Sequence, residues 1–273
     1  MTSSKIPSMN LNNGINIPML GLGVYQMNQG SETYNAVLFA LKAGYRHIDT
    51  AAFYRNEKDV GRAVRESGIP RDEIFITTKL ANQEHDDPVK AFEQSNTNLG
   101  LDYINLYLIH WPVPGKRDAT WRFLETLYAE KKVRAIGVSN YTIRHLKELL
   151  SFAKVIPAVN QVEFSPFLYQ KELLHFCKEK KIQLEAYSPL TRGHKLDDPR
   201  LAALSTKYKK SPAQLLIRWA IQHDVVVIPK SSKERRIKEN ADVFDFTISL
   251  EDMQAMDAYN ENCRFCWDPT DAP

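Results

Sequence analysis

Short apolar runs alternate with amphipathic stretches along almost the whole chain, and the two carry different periods. The runs Met19 to Tyr25, Arg46 to Ala51, Ile74 to Lys79, Ile104 to Trp111, Val133 to Ser139, Ala158 to Glu163, Ile182 to Ser188 and Val225 to Lys230 read as strands. Stretches with helical spacing follow them, as at Val60, Ala63 and Val64 within Lys58 to Ser67. The others are Ser31 to Ala43, Pro88 to Leu99, Thr120 to Glu130, Thr142 to Ala153, Gln170 to Lys180 and Lys233 to Asn240, with Leu250 to Tyr259 closing the series. After the seventh strand, a longer loop is expected before the helix Pro212 to Gln222.

Strands separated by helices must pair in parallel, because the crossover occupies the helix. Several runs are continuously apolar, such as Ile104 to Ile109, which suits a sheet buried on both faces. Eight such units predict a closed (β/α)8 TIM barrel, with an open doubly wound sheet as the alternative. Ahead of it, Asn13-Gly14 between apolar flanks at Leu11 and Ile15 predicts an N-terminal β-hairpin. No composition break divides residues 1–273, so one domain is expected.

Composition narrows the partners. The chain is 43% hydrophobic and 25% charged, as in ordinary globular proteins, and its 36 basic and 33 acidic residues leave a net charge of +3. That balance predicts no nucleic acid or membrane partner. Met1 to Asn10 lack an apolar signal segment, and no run reaches the roughly 18 apolar residues that span a bilayer. Three cysteines point to a reducing, cytoplasmic setting, and a monomer is the default expectation. Cys263 and Cys266 form a C-x-x-C without a second pair, so no metal site is expected and both read as ordinary thiols.

Chemistry in such a barrel gathers at the C-terminal ends of the strands. There the sequence places Asp49 and Tyr54 after the second strand, Lys79 at the end of the third and His110 after the fourth. Taken singly, each has an ordinary structural explanation as a cap, a rim group or a solvated strand terminus. Together they form a proton-donating set. An ammonium stabilises a phenolate and lowers the pKa of the phenol, a carboxylate keeps the ammonium charged, and an imidazole orients a carbonyl oxygen. Five basic residues lie between Lys230 and Lys238 in the eighth loop, at the start of a helix; they suit a phosphate, but taken alone they read first as a solvated basic helix face. Gly21-x-Gly23 does not extend to a dinucleotide fingerprint, because Gln26 occupies the third glycine position.

Short motifs run along the chain in order: Gly44-Tyr45-Arg46-His47-Ile48-Asp49-Thr50-Ala51, Tyr54 with Asn56-Glu57, Thr78-Lys79-Leu80 and Leu108-Ile109-His110-Trp111-Pro112. Gly137-Val138-Ser139-Asn140, Asn160-Gln161-Val162-Glu163, Tyr187-Ser188-Pro189-Leu190 and Ile228-Pro229-Lys230-Ser231 follow. In these segments, from Leu11 to about Pro269, the sequence resembles the aldo-keto reductases. It looks like the short single-domain microbial members, which include diketogulonate reductases and a prostaglandin F synthase of parasitic protozoa. The resemblance implies NADPH-dependent reduction of aldehydes and ketones by direct hydride transfer, with Tyr54 as general acid assisted by Lys79, Asp49 and His110. Endoperoxide reduction of the prostaglandin F synthase type and a low-turnover NADPH-binding regulatory protein remain alternatives.

It further implies that NADPH meets Gly23, Val24, Tyr25 and Asp49 near the first strands. Ser139, Asn140 and Gln161 would bond the carboxamide, Tyr187 would stack on the nicotinamide, and Ser188 and Leu190 would meet the pyrophosphate. Ile228 would line the site, Lys230, Ser231 and Arg236 would hold the 2′-phosphate, and Glu239 and Asn240 would meet the adenine. A small carbonyl substrate would lie against Tyr25, Tyr54, His110 and Trp111, with Phe53 and Trp267 as further aromatic candidates. Thr191 stands where members of the family commonly carry glycine.

Overall fold

The structure, a computed structural model, describes residues 6–272. Residues 1–5, part of the segment read above as lacking a signal, lie outside the described residues. Strands β1 (Ser8–Asn10) and β2 (Asn16–Pro18) form the expected antiparallel hairpin. Its turn is closed by the Leu11 N–H donating to the Ile15 carbonyl at 2.8 Å, and Gly14 supplies a left-handed φ of 85°. Leu11 and Ile17 from this hairpin pack against Phe75, Leu106, Leu108, Ala135, Val159 and Val226, residues drawn from barrel strands. The hairpin therefore extends the apolar filling of the barrel interior.

Eight strands make the barrel: β3 (Leu22–Gly23), β4 (His47–Asp49), β5 (Phe75–Leu80), β6 (Ile104–Ile109), β7 (Val133–Ser139), β8 (Val159–Glu163), β9 (Gln183–Tyr187) and β10 (Val226–Val227). Each lies parallel to its sequence neighbour. Parallel bridges Leu20↔Val227 and Gly23↔Lys230 join the first strand to the last, with Gly21 N–H on the Val227 carbonyl at 2.8 Å and Val227 N–H on the Met19 carbonyl at 2.9 Å. The barrel is closed, and its end strands are short because pairing there passes through such single bridges.

Ten helices occur among the described residues: α1 (Ser31–Lys42), α2 (Glu57–Glu66), α3 (Pro88–Leu99), α4 (Arg117–Ala129), α5 (Ile143–Phe152), α6 (Lys171–Glu179), α7 (Pro199–Tyr208), α8 (Pro212–Gln222), α9 (Glu234–Ala241) and α10 (Leu250–Asp257). Two differ materially from the sequence expectation. Helix α4 begins at Arg117 rather than Thr120, and α7 occupies part of the segment expected to be a long loop. Helix α7 buries only Leu201 and Leu204, too thin a stripe to stand out. Its start nevertheless carries a local signal, since Asp198 accepts the Arg200 N–H and Pro199 occupies the first turn.

Helices α2 and α3 meet at Gly61. A Cβ built there would sit 1.8 Å from the Leu99 carbonyl oxygen, so the contact exists only because the side chain is absent. Alanine would gain about 1 kcal/mol of helix propensity but overpack a backbone contact at a cost of about 1–3 kcal/mol or more. Gly61→Ala should therefore lower the urea midpoint. An unchanged midpoint would mean that α2 slides from α3 without cost.

Candidate active site

Asp49 ends β4, Tyr54 closes a single 3₁₀ turn (Ala52–Tyr54) directly after it, Lys79 lies inside β5, and His110 follows the last residue of β6. Parallel register places these strand ends side by side, and the four groups converge. The Lys79 ammonium is fully buried and donates to Asp49 Oδ1 at 2.7 Å, to the Thr50 carbonyl at 2.9 Å and to Tyr54 Oη at 3.4 Å. The His110 ring stands edge-on to the Tyr54 ring, with centroids 5.6 Å apart, and Tyr25 leans on its other neighbour side at 4.9 Å.

Burial sets the protonation states. It holds the His110 imidazole down to about 3, with the Lys79 charge acting in the same direction, so the ring is neutral at physiological pH. It also pushes the Tyr54 phenol well above its usual value, reinforced by the Asp49 carboxylate. This reverses the lowered phenol expected from the sequence. Lys79 spends its two shorter hydrogen bonds on Asp49 and Thr50, and desolvation of a phenolate outweighs the remaining contact. The raised value keeps Tyr54 protonated, the form that a proton donor needs.

Behind these groups lies a layer in which the sequence reading gave a role to Gln161 but not to Glu185 or His47. Gln161 Nε2 donates to Asp49 Oδ2 at 2.8 Å and to Glu185 Oε2 at 2.9 Å. Glu185 is fully buried, and its other oxygen stands 3.5 Å from His47 Nε2. Burial, with Asp49 adding repulsion, raises Glu185 to about 8, while burial lowers His47 to about 3, so this contact is between neutral groups near neutral pH. The signal was present in the strand, where Gln183, Glu185 and Tyr187 share one face by two-residue alternation.

One cavity of about 1250 Å³ runs from Tyr54 and His110 to the loop after β10 and the start of α9. Tyr25, Gly23, Asp49, Trp111 and Phe53 line it at the Tyr54 end, with Ser139, Asn140, Gln161 and Tyr187 beside them. Ser188, Leu190 and Ile228 lead to Lys230, Ser231, Arg236, Glu239 and Asn240. Lys79 sits beneath the surface, behind Tyr54 and Asp49. One expected contact lies elsewhere. Val24 is fully buried, and its N–H and carbonyl are taken by Asp49 and Asn56, so it belongs to the core rather than the cavity lining.

The cavity also has walls that sequence reasoning did not identify. Arg192 donates to Gln26 Oε1 at 2.7 Å, joining the loop after β9 to the loop after β3. That loop keeps Ser188, Thr191 and Arg192 at φ of 48°, 52° and 53°, which explains why glycine would suit position 191. Cys266 lines the cavity with Phe265 and Trp267, its sulfur 3.7 Å from Ser188 Oγ. It is therefore not the uninvolved thiol expected from the sequence.

Comparison with known proteins agrees with this geometry. Residues 19–261 match the model of the aldo/keto reductase family. The chain belongs to that family. It is 51% identical over 266 residues to glyoxal reductase of Bacillus subtilis, covering 97% of this chain and 96% of that one. It is 50% identical over 264 residues to the 9,11-endoperoxide prostaglandin H2 reductase of Trypanosoma cruzi, covering 95% and 93%. A Bombyx mori aldo-keto reductase solved in complex with NADP superposes with a TM-score of 0.89 at 38% identity, covering 96% of this chain and 95% of that one. The aldo/keto reductase fold is an oxidoreductase barrel, and among the described residues no helix is long and apolar enough to cross a membrane and no cluster of side chains could hold a metal ion.

The buried acid gives this aldo/keto reductase a testable pH signature. An unfolded chain releases the Glu185 proton near 4.5, whereas the folded state keeps it to about 8. Between those values the folded state binds more protons, so this group's contribution to stability falls as pH rises. Urea midpoints at about pH 6 and about pH 9 should converge in Glu185→Gln relative to the wild type. Equal pH dependence in both proteins would show that Glu185 is not held protonated.

Proposed function

We propose that the chain is a single-domain, NADPH-dependent reductase of aldehydes and ketones. The observation that carries this reading is the Tyr54 phenol, contacted by the buried Lys79 ammonium and flanked edge-on by the His110 ring, all at one cavity end; burial favours the protonated phenol and the neutral imidazole. The donor set at the other end suits a dinucleotide carrying a 2′-phosphate. Lys230, Ser231 and Arg236 line it, and the first turn of α9 has no side-chain cap to occupy its N–H groups. Among the described residues neither Lys230 nor Arg236 is committed to an ion pair. Its volume exceeds the roughly 300–1,000 Å³ typical of one small ligand, leaving room for cofactor and substrate together.

NADPH bound there would supply a hydride. Ser139, Asn140, Gln161, Tyr187, Ser188 and Leu190 would orient it, and the basic end would favour it over NADH. The chain's own part is the proton. Tyr54 gives its hydroxyl proton to the carbonyl oxygen as charge develops there, so the phenol O–H bond breaks as the alcohol O–H bond forms. Lys79 stabilises the phenolate left behind, Asp49 fixes Lys79, and neutral His110 donates an N–H that orients the oxygen. The same reading takes the protein as monomeric and cytoplasmic, with no nucleic acid or membrane partner. The T. cruzi relative supports a second substrate, a prostaglandin endoperoxide, which would use the same cavity.

NADPH oxidation measured with aldehydes, ketones and an endoperoxide tests both readings. Tyr54→Phe should lower kcat on the order of 10²–10⁴-fold without weakening NADPH binding. Undiminished turnover would remove Tyr54 as the donor, and tight NADPH binding without turnover by the wild type would favour a regulatory protein. Arg236→Ala should weaken NADPH binding about 10- to 100-fold and leave NADH binding nearly unchanged. Equal losses for both cofactors would place the 2′-phosphate elsewhere.

A further inference from the structure

Residues 260–272 form neither helix nor strand, yet Phe265, Cys266 and Trp267 make one wall of the cavity. A segment without a ladder must satisfy its backbone groups in other ways. The Glu261 and Cys263 N–H groups both reach the Phe167 carbonyl, at 3.1 and 3.0 Å. The next two ordered donors go to a single side chain. Phe265 N–H donates to Glu163 Oε1 at 2.8 Å and Cys266 N–H to Glu163 Oε2 at 3.2 Å. Glu163 is the last residue of β8, 3% exposed and two positions beyond Gln161 on the same strand.

We infer that Glu163 is a specificity-determining positioning residue, a latch whose carboxylate fixes the tail as the substrate-facing wall of the cavity. Both carboxylate oxygens are used on consecutive peptide N–H groups, which sets the direction of the chain as well as its distance from the barrel. From the other side Arg192 donates to the Phe265 carbonyl at 3.3 Å, and His194 stacks on the Phe265 ring at 4.8 Å with planes only 4° apart. Beyond the latch, Trp267 stands edge-on to Trp111 with centroids 6.4 Å apart. A flat, bulky substrate would lean on the tail rings of Phe265 and Trp267, whereas a two-carbon substrate would depend on Tyr54, His110 and Trp111 and far less on the tail. Glu163 thus acts on substrate fit through the tail, and it makes no hydrogen bond to Tyr54, Lys79, Asp49 or His110. The specificity part of the inference rests on the carbonyl reductase reading.

Two measurements on Glu163→Ala and Glu163→Gln test it in the full-length protein. The first needs no activity: tryptic cleavage after Arg264, followed by mass, requires the tail to leave the barrel. It should accelerate on the order of ten-fold in Glu163→Ala and less in Glu163→Gln, whose amide accepts one of the two N–H groups. The second compares substrates. KM for naphthaldehyde should rise roughly ten-fold in Glu163→Ala, while kcat and KM for glyoxal stay within about two-fold. Unchanged cleavage would overturn the latch, and accelerated cleavage with unchanged naphthaldehyde KM would overturn its role in specificity. Equal losses for both aldehydes would reassign Glu163 to the reaction itself or to folding. A wild-type protein that reduces no carbonyl would defeat the reductase reading, and the cleavage assay would still decide the latch.

Discussion

The site is organised by one ammonium group removed from water. Lys79 is fully buried, and a charge in that position is tolerable only with an opposite charge and full hydrogen bonding around it. Asp49, the Thr50 carbonyl and the Tyr54 phenol provide these, and each therefore has a fixed place relative to Lys79. The other titratable groups close by are neutral near neutral pH. His110 and His47 resist protonation, and Glu185 keeps its proton. Around Tyr54, charge is thereby concentrated on the Lys79–Asp49 pair.

That constraint depends on parallel strands. Asp49 and Lys79 lie on adjacent strands whose pairing aligns Asp49 with Thr77, and His110 follows the next strand over. Closure of the barrel by Gly21, Gly23 and Leu20 against Val227 and Lys230 brings the basic loop to the first strand. The two ends of the cavity are distant in sequence and joined by the sheet.

Much of this was legible in the chain because it follows from local patterns. Strand β7 and helices α3 and α8 lie where their patterns placed them, and α8 carries the Ser211–Gln214 capping box at its start. The four catalytic candidates were found because strand ends can be read from strands. What escaped depends on long-range packing. The direction of the Tyr54 pKa depends on the burial of the whole site, and Glu185 was visible only as one acid in an apolar strand. Of the tail wall only Trp267 was read, as an aromatic candidate; Phe265 and Cys266 escaped because the segment has no periodicity and is placed by Glu163, about a hundred residues earlier in the chain. Helix α7 lay between, with a clear cap but an apolar stripe of only two buried leucines.

Gln161 leaves a mark on what the cavity can accept. Both hydrogens of its side-chain amide are spent, one on Asp49 and one on Glu185, so only its carbonyl oxygen remains to face a ligand. A group seated there must bring a hydrogen of its own. A carboxamide can do so, whereas a carboxylate of the same outline would set oxygen against oxygen. Asp49 and Glu185 thereby select between an amide and an acid by taking up both protons of one side chain.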